Sequence, residues 1–213
     1  MEFEQVLTAE ERQLFVSLDS PLAIQNYLDG LPYVGEDRNR SPLNVLRDRQ
    51  CHCLDGGLFA ATALRRLGYP PVILDLVPEM DKDDDHVLAI FKRNGLFGAI
   101  AKSNFVGLRY REPVYRSPRE LAMSYFEVFY NINGEKTLRG YTRSFDLSRY
   151  DRFNWMTDEA GVQRIVDKFY ALKSIPLLTS ESAAALSLVD RRSYEAGMIG
   201  ANFEGLYKPA VGL

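Results

Sequence analysis

The amino-acid sequence predicts an α+β protein in which several helices lead into an antiparallel sheet. Three observations carry that expectation. Thr8-Ala-Glu-Glu11 is a capping box ahead of Leu14, Phe15 and Leu18, a start signal for a helix with one apolar face. The run from Cys53 to Gly68 places Leu54, Leu58, Ala61 and Leu64 three or four residues apart, the repeat of an amphipathic helix. Asn94-Gly95 separates two mostly apolar stretches and is the strongest short-range signal for a two-residue hairpin turn.

The elements follow in chain order. After the helix capped by Thr8, Ser20-Pro21 and Ser41-Pro42 each place a hydroxyl cap before a proline, so two further short helices begin there. These three are expected to pack around the helix that opens at Cys53 and stops at Gly68, ahead of Pro70-Pro71. Val72 to Val77 is a short β-branched strand, and an acidic loop, Asp81 to Asp85, leads into a strand from His86 to Phe91. A two-residue turn at Asn94-Gly95 pairs Arg93 with Leu96, and counting outward sets His86 opposite Ser103, with Asn104 next. Arg109, Arg111 and Arg116 then alternate with Tyr110 and Tyr115, and Ser117-Pro-Arg-Glu120 caps a helix carrying Leu121, Tyr125 and Phe129. Asn133-Gly134 predicts another hairpin. Thr157-Asp-Glu159 starts a helix that turns Val162, Ile165, Val166 and Phe169 inward, and Ser180 starts a last one through about Arg191. No repeat or linker interrupts the chain. The expectation is one domain over 1–213, with a core at about 41–145 and a helical C-terminal extension at about 150–213.

Composition narrows the function. A chain of 213 residues, 46% hydrophobic and 26% charged, can bury a substantial core. Its net charge of -3 gives no reason to expect a nucleic-acid surface. Met1-Glu-Phe-Glu-Gln lacks the basic and apolar regions of a signal peptide, and no apolar run approaches the roughly 18 residues of a membrane span. Two cysteines one residue apart are too close to staple a fold, so a reducing cytoplasm is the expected compartment, and no cofactor is implied.

With only two cysteines and two histidines, the scarce ingredients are a thiol and an imidazole. Cys53 falls at a helix start, where free amide groups and the helix dipole can lower a thiol from about 8.5 to ~3.5–7.5. His86, 33 residues on, is the candidate base, and Ser103 or Asn104 its orienting partner. Register favours Ser103. The fixed carbonyl of a carboxamide favours Asn104, provided that a bulge exchanges the two faces.

Cys53, Asp55, Leu67-Gly68 and Pro70, followed by a strand-borne His86, resemble the helix and histidine of the transglutaminase-like superfamily, the papain-like fold of thiol acyltransferases, peptidases and amidases. The likeness covers roughly residues 50–105. It implies a catalytic helix packed on an antiparallel sheet and Cys53, rather than Cys51, as nucleophile. Leu88 stands where the family commonly has an aromatic residue, Cys51 where it has glycine, and no aspartate takes the place of the third triad member. The implied activity is attack on an amide or peptide bond through a thioester, with hydrolysis and transfer both open. The substrate would be a peptide, a protein or a small amide. Amide groups at the helix start, with Gln50 and Asp55 in support, would hold the oxyanion. Arg109 and Arg111 could bind a carboxylate or phosphate through their guanidinium forks. The alternatives are a catalytically silent binding or scaffold domain of the same fold, and a thiol redox or metal protein using Cys51 and Cys53. Zinc fits poorly, because adjacent ligands match no usual structural pattern. Asp83 to Asp85 read as a solvated loop.

Overall fold

The computed structural model describes residues 3–209. The predicted start signals are used as caps. Thr8 Oγ1 accepts the Glu11 amide while Glu11 accepts the Thr8 amide, which opens helix α1 (Ala9–Ser17). Ser20 and Ser41 cap α2 (Pro21–Asp29) and α3 (Pro42–Asp48) in the same way, each with proline in the first turn. Helix α4 (Cys53–Arg66) stops at Gly68, whose φ of +87° lets its amide donate to Arg65 O at 3.0 Å while the Tyr69 amide reaches Leu64 O at 3.0 Å. Those two bonds satisfy carbonyls that the end of a helix otherwise leaves unpaired.

Seven short strands follow among the described residues: β1 (Val72–Pro78), β2 (His86–Arg93), β3 (Leu96–Ile100), β4 (Arg111–Tyr115), β5 (Leu138–Tyr141), β6 (Phe145–Asp146) and β7 (Ile175–Pro176). They form one antiparallel sheet in the order β4-β3-β2-β1-β5-β7, with β6 also on β1. The Asn94-Gly95 turn is formed as predicted, with Arg93 opposite Leu96, but the β2–β3 pairing ends at Ala89 and Ile100. The outward count therefore does not reach His86. Proline falls in each outermost strand, at Pro113 and Pro176.

The two faces of the sheet carry separate cores. Ile73, Val87, Ala89, Phe91 and Ile100 meet α4, which is buried at every position from Cys53 to Leu64, together with Phe15, Ile24 and Leu28 of the earlier helices. Close approach depends on two glycines: a Cβ on Gly56 would lie 2.4 Å from Lys102 Cβ, and one on Gly57 2.8 Å from Val87 Cγ1. Leu74, Leu76, Leu88 and Ile90 project the other way, onto α5 (Pro118–Met123) and the turns after it.

The C-terminal part departs from a helical extension. Helix α6 (Glu159–Phe169) buries Val162, Ile165 and Phe169 against the α4 core, as its periodicity predicts. Beyond it the chain adds β7 to the sheet edge, and the single helix expected from Ser180 divides into α7 (Ser180–Ala184) and α8 (Arg191–Gly197). Neither buries a residue, so no apolar face carries the helix across 185–190, and Asp190 caps a fresh start by accepting the Ser193 amide. Two other expectations shift. Helix α5 ends at Met123, leaving Tyr125 and Phe129 buried in later turns, and Asn133-Gly134 makes a tight turn with one bridge, Tyr130 to Lys136, rather than a strand pair. Among the described residues no helix is long and apolar enough to cross a membrane.

Candidate active site

Cys53 is the first residue of α4, and His52 before it is extended and supplies no side-chain cap. A bridge between Tyr33 and Cys51 holds the 32–36 loop alongside, with the Val34 amide on Cys51 O at 3.4 Å. On the sheet side Cys53 Sγ lies 3.7 Å from Asp85 O. The thiol borders a cavity of about 430 Å³ whose other walls include Tyr33, Asp84, Asp85, Tyr170 and residues 204–208.

A carboxyl cluster stands beside the thiol. Asp75 pairs with Val87 across β1–β2, so its side chain shares the α4 face with Val87 and reaches Asp85 just before β2. Tyr170 Oη donates to Asp85 Oδ2 at 3.1 Å, and Asp75 is 4% exposed with Oδ1 unpartnered. Burial, followed by the other's charge, raises the Asp75 carboxyl well above the carboxylate range, and burial with the Asp84 charge raises Asp85 as well. Two carboxyl groups this close hold one proton between them more readily than two charges.

The same surroundings correct the expectation of an acidic thiol. Burial pushes the Cys53 thiol well up, and the charges of Asp85 and Asp84 push it further, against one helpful amide at Val87. A helix-end dipole equivalent to about half a charge does not offset burial and two neighbouring carboxylates. Cys53 rests as a thiol. Cys51, fully buried, is pushed up to about 12, burial being the main cause.

The structure does not bring His86 to Cys53. Along β2, Val87, Ala89 and Phe91 take the α4 side, so His86 projects with Leu88 and Ile90 to the opposite face. Its Nε2–H donates to Leu108 O at 2.6 Å, and its ring packs edge-on against Tyr125 and Phe129, each 6.4 Å away between centroids. Burial lowers its pKa to about 4, so the imidazole is neutral. Neither proposed orienting residue hydrogen-bonds to it, although Ser103 and Asn104 line one small cavity with it. Ser103 Oγ accepts the Phe105 amide at 2.9 Å, and the Asn104 carboxamide is bonded in both senses to Asn202, donating to its carbonyl and accepting its amide, each at 2.7 Å.

The remaining candidates divide between frame and cleft. Asp55 is fully buried, accepts the Arg40 amide at 2.7 Å and approaches His52 Nε2 at 3.3 Å, which ties the 36–40 loop to the first turn of α4. Burial raises its pKa to about 6. Gln50 does not line the cavity of Cys53. Arg111 is held in the frame: its guanidinium stacks 3.9 Å over Tyr125 and donates to Gly107 O, Tyr110 O and both oxygens of Ser124. Arg109 pairs with Asp29 at 3.0 Å on the wall of a second cavity of about 430 Å³, beside Ser103 and Asn104. Asp83 and Asp85 are half-buried rather than freely solvated: Asp83 accepts the Thr137 hydroxyl at 2.5 Å and is raised to about 6 by burial. The carboxyl pair and Tyr170 were not singled out from sequence. Only the polar Asp75 inside the apolar run 72–77 signalled them. No protein-family model matches the chain, and a search of curated proteins gives no match.

Proposed function

We propose that the chain is a cysteine-dependent acyl-transfer enzyme acting on an amide or peptide bond, with Cys53 as nucleophile and the Asp85–Asp75 pair, in place of His86, as the proton-transfer group. The observation that carries this reading is the position of Cys53, at the start of a buried helix and on the wall of a cavity that Asp85 and Tyr170 also line, with Asp85 accepting the Tyr170 hydroxyl and the buried Asp75 behind it. Helix α4 packed on an antiparallel sheet also agrees with a transglutaminase-like core. A carboxyl group raised toward neutrality accepts a proton more readily than an ordinary aspartate. In the proposed sequence Sγ attacks the carbonyl carbon and the thiol proton passes to the Asp85 carboxylate, which becomes neutral and which Tyr170 and Asp75 hold in place. First-turn amides of α4 hold the oxyanion. The C–N bond then breaks, the leaving amine takes the proton back from Asp85, and water or a second amine attacks the thioester to free the thiol.

The test is acylation of Cys53 by p-nitrophenyl acetate, located by peptide mass mapping. Asp85→Asn is expected to slow it about ten-fold or more, the scale of a lost general base, while His86→Gln leaves it within about two-fold. One observation favours a second reading: His86 faces away from a thiol that burial keeps protonated. A silent binding domain of the same fold would acylate Cys53 no faster than an unfolded cysteine and would ignore Asp85→Asn, and that result would overturn the enzymatic reading.

A further inference from the structure

The chain after α8 runs lengthwise over the candidate site. Residues 199–202 border the cavity that holds Ser103, Asn104 and Arg109, and residues 204–208 border the cavity of Cys53. Two features of its attachment matter. The contacts are to main chain: Asn104 reads both the amide and the carbonyl of residue 202, Asn202 Nδ2 donates to Tyr33 O at 3.0 Å, and Gly205 lies so close that a Cβ on Gly35 would be 3.0 Å from its Cα. Two of the large apolar side chains of this stretch take no part, since Ile199 is 72% and Phe203 68% exposed, and Leu206 is only half-buried. The segment is thus held by polar contacts, of which the Asn104 pair reads main-chain groups that any polypeptide offers, and has little of the apolar anchoring that would make it hard to displace.

We infer that the groove along Arg109, Asn104, Tyr33, Gly35 and Cys53 is a polypeptide-binding site, occupied in cis by residues 199–208, and that its ligand in trans is a peptide segment with a glycine or other small residue opposite Gly35. Asn104 is then the residue that aligns the ligand main chain, its carboxamide matching one N–H and one C=O. The inference deepens the reading of Cys53 as the reactive thiol and rests on it for what happens at the sulfur, whereas occupancy of the groove is measured separately. With the cis segment in place Cys53 is covered. Displacement by a competing peptide uncovers it.

The experiment uses the full chain and a fluorescein-labelled synthetic peptide of residues 199–208, followed by anisotropy. In Gly205→Val the new side chain meets the Tyr33 ring and Gly35 N, at 3.1 and 3.3 Å from Cβ alone, and expels the cis segment. This variant is expected to bind the peptide about ten-fold or more tightly than wild type, because the apparent affinity scales with the fraction of open groove. Adding Asn104→Ala should abolish that gain, and Asn202→Ala, which removes the Tyr33 contact without adding bulk, should show a smaller gain should Gly205→Val fail to fold. Peptide affinity equal in wild type and in both strap variants, or a gain that survives Asn104→Ala, would overturn the groove. Iodoacetamide labelling of Cys53, measured in parallel, should accelerate in the strap variants. Tighter peptide binding with no change in Cys53 labelling upholds the groove and removes the support for Cys53 as reactive centre.

Discussion

His86 is a buried neutral imidazole whose one strong bond goes to a main-chain carbonyl, and that has a measurable cost in acid. The unfolded ring titrates near 6.5 and the folded one at about 4, so between those values the unfolded chain binds a proton that the folded one refuses. Stability from this residue is fully present above pH 6.5 and is lost as the pH falls toward 4. His86→Gln keeps a side-chain N–H for Leu108 O and removes the titration. In urea unfolding, wild type is expected to lose up to about 3 kcal/mol relative to His86→Gln between pH 7 and pH 4. Parallel profiles for the two proteins would show that the imidazole is not held neutral. The comparison has to be relative, because Asp55 and Asp83, both raised to about 6, act with the opposite sign: a carboxyl raised by folding favours the folded chain in acid.

At the scale of elements, the contact of α4 with β2 and the chain after β3 is set by its paired glycines. Alanine in a helix interior gains about 1 kcal/mol over glycine, whereas overpacking costs about 1–3 kcal/mol. At Gly56 the obstacle is Lys102 Cβ, which cannot move without its main chain, and the Lys102 ammonium is itself bonded to Leu28 O and Leu31 O. At Gly57 the obstacle is one methyl of Val87. Gly56→Ala should therefore lower stability by up to about 2 kcal/mol net, and more than Gly57→Ala, in chemical denaturation. The reverse ranking would mean that the α4 contact is looser than described.

The same element shows why much of the fold, but less of the site, was legible in the sequence. Caps at Thr8, Ser20, Ser41 and Ser117, the glycine stop at Gly68 and the Asn94-Gly95 turn are local signals, and each acts where it is read. The facing of His86 is not local. Strand β2 is buried on both sides from His86 to Phe91, so its residues do not alternate in polarity and nothing in them marks the side that meets α4. Asp75 and Asp85 come together only through β1–β2 pairing, and residues 199–208 have no apolar repeat that would announce where they lie.

Across the whole molecule, the two cores and the surface segments differ in what opening them exposes. Strands β1 and β2 lie between the two cores and helix α4 is buried in one of them, whereas α7, α8 and the chain after them bury nothing large. Native-state hydrogen exchange should accordingly begin at 199–208 and α8, through local opening, and reach the amides of α4 and β2 only with global unfolding. Protection of 199–208 equal to that of α4 would contradict a displaceable segment and would tie the C-terminus to the cooperative core.

The prolines of the rim strands have a further consequence. Strand β4 carries Pro113 at its centre and pairs with β3 through an interrupted register, and β7 consists of Ile175 and Pro176 alone. A proline nitrogen has no hydrogen to offer an incoming strand. Neither β4 nor β7 presents an unbroken row of donors, so edge-to-edge pairing with a second copy of the chain is disfavoured at these two ends of the sheet.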